Sequence, residues 1–290
     1  MSGSEASRAV EPVELTVPPM DAVADLHGDP LTAGLVLFMN GNQFMVMDEL
    51  IAPFCAAHPE VGEVFYETIP PGVLLEQTRR GALRMGSLVL SIAPDVVAAG
   101  PSALAPLHRD GLIEEPVGYA SNDLAVLVAA GNPAGISSLS DLGASDVRVA
   151  MPNPRTEGVG ELIAQALERA GGPELRQTVM ERKVADGTTR MTRIHHRESM
   201  LWLAAGEVDA CPLWTTEARY HRDRGAGVEI VTIPAEHNVT GRYAVATVCG
   251  ARHPAAARTF VDYLRGDGAA VYRRHGFAPD VDHAAPGTSS

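Results

Sequence analysis

Three stretches of the chain could hold a negatively charged molecule without help from lysine. In each, an apolar run suited to a buried strand gives way to a short polar or glycine-containing loop, and a helical pattern follows. The loops are Asn40-Gly41-Asn42-Gln43, Pro70-Pro71-Gly72 and Asn153–Gly158. The first four N–H groups of a helix have no partner inside it, and the helix dipole makes that end positive. Several such ends turned toward one cleft make an anion site. The candidate contacts are Asn40, Gly41, Asn42, Gln43 and the backbone N–H of Gly72, with Thr156, Glu157 and Gly158 from the third loop. Every α/β protein has loops of this kind, so a single one carries no function.

Two further clusters join them. Trp214-Thr215-Thr216-Glu217 follows the apolar run Ala210–Trp214. There Trp214 could wall a ligand and Thr215 could donate to it; the same residues also suit a core tryptophan beside a capping pattern. His195-His196-Arg197-Glu198 is the densest ionisable group, with His195 and Glu198 on one helical face. Adjacent histidines point in different directions, which disfavours one shared metal. At a helix start, His196 and Arg197 could meet an anion; packing between domains is the plainer alternative. Glu157 would repel an anion unless it caps its helix or pairs with His196 or Arg197. His27 reads as a loop anchor. GxSxG, GxGxxG and HExxH patterns are absent, so no catalytic residue, metal site or cofactor is selected.

The elements that would position these residues alternate. Strands are expected at 35–39, 63–67, 95–99, 124–129, 147–151, 210–214, 228–233 and 243–249. Helices are expected at 44–57, 73–80, 159–170, from about 194 to 205, and at 254–265 and 268–275. Gly171-Gly172-Pro173 should end the helix at 159–170. This order means an α/β fold with largely parallel sheets. Residues 1–15 read as a mobile tail, and 16–34 as a loop.

Composition narrows the class. The 290 residues carry a net charge of −13, which argues against general nucleic-acid binding. The longest apolar runs are far too short to span a bilayer. Lys183 is the sole lysine and, beside Glu181 and Arg182, is expected on a solvated face. Cys55, Cys211 and Cys249 have no CxxC spacing and are expected in the core. The first residues show no export signal, so either one was removed ahead of this numbering or the protein is cytoplasmic.

The order of motifs resembles the extracytoplasmic solute-binding proteins of ABC transporters, with the type II periplasmic-binding-protein fold, nearest to the molybdate-binding branch. The resemblance covers roughly 35–278. Its carriers are Leu35–Phe54, Glu67–Gly72 with Leu75–Gln77 and Gly81, Pro94–Ala99, Tyr119–Leu124, Ser138–Leu142 and Gly206–Ala210 with Trp214–Ala218. It implies two α/β lobes around a central cleft with two crossover hinges: 1–29 as tail and loop, 30–121 plus 242–290 as lobe one, 122–241 as lobe two. It implies a monomer that captures a small anion, a tetrahedral oxyanion such as molybdate, tungstate or sulfate or a small organic anion, and delivers it to an ABC-transporter permease. The implied location is periplasmic or cell-surface. Asn40-Gly41-Asn42 and Pro70-Pro71-Gly72 stand where the molybdate branch has small hydroxyl residues, and Trp214 stands at its tyrosine. The rival expectation is an intracellular enzyme or a metal-binding protein re-using the fold.

Overall fold

The computed structural model describes residues 11–16, 25–193 and 197–280. The chain opens with β1 (Val13–Glu14), then β2 (Leu26–His27) and β3 (Leu35–Asn40). All six residues of β3 are buried. Leu35, Leu37 and Met39 pack on one face and Val36 and Phe38 on the other, as the period of two requires of a strand covered on both sides. A 3-10 turn over Gly41–Val46 leads into α1 (Met47–Ala57), which buries Met47, Leu50 and Phe54. Next come β4 (Val64–Ile69), α2 (Pro71–Arg80), β5 (Leu83–Met85), β6 (Leu88–Leu90), β7 (Val96–Ala99), α3 (Pro101–Arg109) and β8 (Val117–Asn122). Pro71 and Pro101 occupy first helical positions, where the fixed φ fits and no N–H is needed.

The second lobe holds β9 (Leu124–Ala129), β10 (Val149–Met151), α4 (Gly158–Gln177), α5 (Lys183–Asp186) and β11 (Thr189–Met191). It continues with α6 (Arg197–Ala204), β12 (Ala210–Trp214), α7 (Thr215–Asp223) and β13 (Val228–Thr232). Gly171 and Gly172 leave helical geometry inside α4, with Gly172 at φ 69, so the expected break is a kink. The chain then returns to the first lobe through β14 (Gly241–Thr247), α8 (Pro254–Arg265) and α9 (Ala269–Arg274).

Lobe one is a six-stranded sheet in the order β2-β4-β3-β7-β14-β8, and lobe two a five-stranded sheet in the order β11-β10-β12-β9-β13. The chain passes between the sheets at Asp123 and over 233–240, next to β8 and β14 in one sheet and β9 and β13 in the other. The sheets are mixed rather than largely parallel. β14 runs antiparallel to both β7 and β8, and β9 antiparallel to β12 and β13, because the strands that carry the chain across must reverse direction. One hydrophobic cluster runs through both lobes, joining Leu37 and Met39 to Val126, Met151 and Ile163.

Several sequence expectations change here. Val13 and Glu14 pair with β5 and Leu15 is buried, so the segment before residue 16 is no simple tail at its end. Lys183 is buried, its ammonium donating to the carbonyls of Ala144 and Val147. Of the cysteines, Cys211 is buried, Cys55 half-buried and Cys249 exposed. Among the described residues no helix is long and apolar enough to cross a membrane.

Candidate functional site

Register decides what meets at the carboxyl ends of the lobe-one strands. Parallel pairing sets Asn40 of β3 opposite Ile69 of β4, and β3 pairs with β7 on its other side. The three strand ends therefore lie side by side, and each opens a helical segment. Lobe two brings the start of α4 to the same gap: a methyl group added at Gly72 would stand 3.6 Å from the Thr156 carbonyl oxygen.

Between the lobes lies a cavity of about 580 Å³. Lobe one lines it with Asn40, Asn42, the start of α2 with Leu75, and Gly100–Ala103 at the start of α3. Lobe two contributes Pro154–Val159, Leu162 and Trp214, and Thr240–Tyr243 closes the crossover side.

The polar groups differ in how they are held. Asn40 is 2% exposed, and its amide has the Tyr119 hydroxyl as its hydrogen-bonding neighbour, without an ideal bond among the described residues. Asn42 Nδ2 donates to the Tyr243 hydroxyl at 2.6 Å, and Asn122 Nδ2 reaches the same oxygen at 3.4 Å. Burial pushes the Tyr243 phenol well above its ordinary pKa, so it stays a neutral O–H. Glu157 stands at the N-cap of α4, is buried, and accepts a hydrogen bond from the Thr192 hydroxyl. It makes no side-chain capping bond, and its charge offsets the positive helix end from within the chain. Arg155 and Arg242 are exposed on the rim, and Arg242 Nη1 lies 3.5 Å from Asp280 Oδ1. Trp214 packs so closely on β14 that a methyl group at Gly241 would stand 2.3 Å from its ring.

Asn40, Asn42, Gly72, Thr156, Glu157, Gly158 and Trp214 thus share one cavity. Other candidates from the sequence do not line it. Gln43 donates to the Tyr119 hydroxyl and accepts from Tyr119 and Tyr272, because one step along a 3-10 turn rotates a side chain by about 120°. Gly41 is buried in the same turn. The Thr215 N–H donates to the Asp123 carbonyl at the crossover. Arg197 turns to Asp25 instead, Nη2 to Oδ1 at 2.6 Å. His195 and His196 lie outside the described residues. His27 stacks on Tyr66 at 4.5 Å. Among the described residues no group of three or more His, Cys, Asp or Glu could hold a metal ion. Sequence reasoning missed the start of α3 and the Thr240–Tyr243 segment. The first carried a usable signal, since Gly100-Pro101 after a strand repeats the pattern of Pro70-Pro71.

The Asp25–Arg197 pair joins the lobes at the edge away from the crossovers. Asp25 precedes β2, the outermost strand of its sheet, and Arg197 opens α6, just after β11, the outermost strand of the other. Both side chains are almost fully buried, at 4% and 6% exposure. Phe44 lies 5.7 Å from the Arg197 guanidinium and meets Tyr220 of α7 edge-on at 4.9 Å. Beside Asp25, burial pushes the Glu67 carboxyl up to about 8; the Gln77 hydrogen bond opposes this and the Asp25 charge adds to it.

Two lobes joined by two crossovers, with a lined cleft between them, define a solute-binding protein of the two-lobe type II fold. The chain belongs to the bacterial extracellular solute-binding protein family, whose profile matches residues 35–278. It is similar in structure to the sulfate-binding protein SubI from Mycobacterium tuberculosis H37Rv, at 17% identity, TM-score 0.69, over 92% of this chain and 87% of that one. The periplasmic molybdate-binding protein of Azotobacter vinelandii aligns at 16% identity, TM-score 0.67, over 84% of this chain and 98% of that one. The substrate-binding protein of an ABC transporter from Agrobacterium tumefaciens aligns at 14% identity, TM-score 0.71, over 88% and 83%. No curated protein sequence matches the chain.

Proposed function

We propose that the protein captures a small anion between its lobes outside the cytoplasm and delivers it to the permease of an ABC transporter, without turning it over. The observation that carries this reading is the interlobe cavity, which the starts of α2, α3 and α4 line together with the buried amide of Asn40. A buried amide held by one neutral hydroxyl keeps hydrogen-bonding capacity to spare, and a bound ligand can use it. The Tyr243 hydroxyl accepts from two asparagine amides and keeps its own proton to give. Family membership supports the transport role. The sulfate- and molybdate-binding structures named above support an anionic cargo.

Thermal unfolding with sulfate, molybdate, phosphate and small carboxylates tests this. An anion at a hundred times its Kd should raise stability by about 2.7 kcal/mol, a clear rise in melting temperature. Asn40→Ala should weaken its binding about tenfold or more. A melting temperature unmoved by every anion overturns the reading.

A further inference from the structure

We infer that the cleft takes an organic monoanion with an apolar body, a carboxylic acid the size of hexanoate or benzoate, rather than a tetrahedral oxyanion. This rests on the anion reading above and narrows it. Three independent features of the cavity point the same way.

The first is room. A tetrahedral oxyanion fills the space of a few water molecules, roughly 100 Å³. The cavity measures about 580 Å³, within the range that holds a multi-atom organic ligand. The second is the wall. Two of the three helix starts present a proline ring at the first position, Pro71 and Pro101, where another residue would offer an N–H. Leu75, Leu162 and the Trp214 ring extend that apolar surface. A bare ion gains nothing from such a surface, whereas a hydrocarbon body gains about 25 cal/mol for each Å² it covers.

The third is charge. Glu157 puts a buried carboxylate at the start of α4, where an anion would otherwise sit. Arg242 is already paired with the buried carboxylate of Asp280, so the two lining arginines face two carboxylates and the site has no formal excess of positive charge. A monoanion adds one charge to this low-dielectric space beside Glu157, and a doubly charged oxyanion adds two. The Asn40 amide and the Tyr243 hydroxyl supply the short, directional donors that a carboxylate accepts.

The test is a size series. In a Trp202→Phe variant the remaining tryptophan, Trp214, lines the cleft and reports occupancy by its fluorescence. Acetate, butyrate, hexanoate and benzoate are titrated beside sulfate and molybdate. Affinity should rise through the series by roughly fourfold per added methylene. Hexanoate and benzoate should bind more tightly than either oxyanion. In Leu75→Asn the rise should flatten to below about twofold per methylene. A flat series in the parent, or an oxyanion that binds more tightly than every carboxylate, overturns this inference and leaves anion capture standing. An unchanged slope in Leu75→Asn overturns the placement of the apolar body along α2. No response to any of these ions, in fluorescence or in melting, overturns both readings.

Discussion

The lobes meet at two edges that are built from different materials. At the crossover edge, two peptide segments run between the sheets and hydrogen bonds tie them together, one of them to the exposed Asp123 carboxylate. Asn238 accepts from the Leu124 N–H at 3.0 Å and donates to the Leu124 carbonyl at 2.9 Å, and the Thr240 hydroxyl donates to Asp123 at 2.6 Å. At the opposite edge each sheet ends in a short strand, and a buried ion pair, Asp25–Arg197, spans the gap beside the Phe44 ring. Hydrogen bonds that are only partly buried tolerate hydration and let a joint flex. A buried ion pair is close to all-or-none, since either charge left alone in the interior is expensive. One edge therefore suits a hinge and the other a clasp.

Breaking the clasp should have the largest effect. Arg197→Met leaves Asp25 without its guanidinium, and unfolding by urea should show a loss of about 3–5 kcal/mol. The double variant Asp25→Leu/Arg197→Met should recover part of it, because neither member of this pair is then left facing the other's absence. A loss in Arg197→Met below about 1 kcal/mol would mean that the edge opens and water reaches Asp25, so the clasp would not hold the lobes shut.

At the hinge, Asn238→Ala removes both bonds to Leu124 and should cost about 2 kcal/mol. The check is hydrogen exchange at the Leu124 amide, which should speed up while amides in the middle of β3 do not. Equal acceleration in both places would show that the two crossovers are not a local joint.

A third effect, spread over several pH units, separates the edges by pH. Glu67 beside Asp25 is raised from its ordinary 4.5 to about 8, chiefly by burial. Below pH 4.5 it holds its proton whether the chain is folded or not. Between 4.5 and 8 only the folded chain keeps it, so this group's contribution to stability falls as pH rises through that window, by at most about 1.4 kcal/mol per pH unit. Glu67→Gln should flatten that part of the stability profile, and Asn238→Ala should leave its slope as it is. Parallel profiles for the parent and Glu67→Gln would mean that Glu67 is ionised in the folded protein.

The sequence makes the order of strands and helices readable because each element announces itself locally. β9 and β12 fall at the expected residues, and the helix broken at Gly171-Gly172 is kinked there. Seven of the candidate contacts meet at one cavity because strand–loop–helix junctions at the carboxyl end of a sheet converge by topology. Direction was harder to read. Asn42 and Gln43 are alike in chemistry and adjacent, yet one faces the cleft and the other the Tyr119–Tyr272 pair. Partnership over distance was not readable at all. Arg197 finds Asp25 across 172 positions, and nothing local distinguishes that arginine from one that waits for a ligand. The helix α3 escaped notice because it is short, carries Pro106 inside, and buries only Leu104 and Leu107.

The apolar cluster that runs from Leu37 and Met39 through Val126 to Ile163 has a consequence for how the protein could be divided. Each half of the molecule borrows part of its interior from the other. Severing the polypeptide at Asp123 and in 233–240 would yield three pieces, two from one lobe and one from the other, with raw, greasy faces instead of two self-sufficient modules.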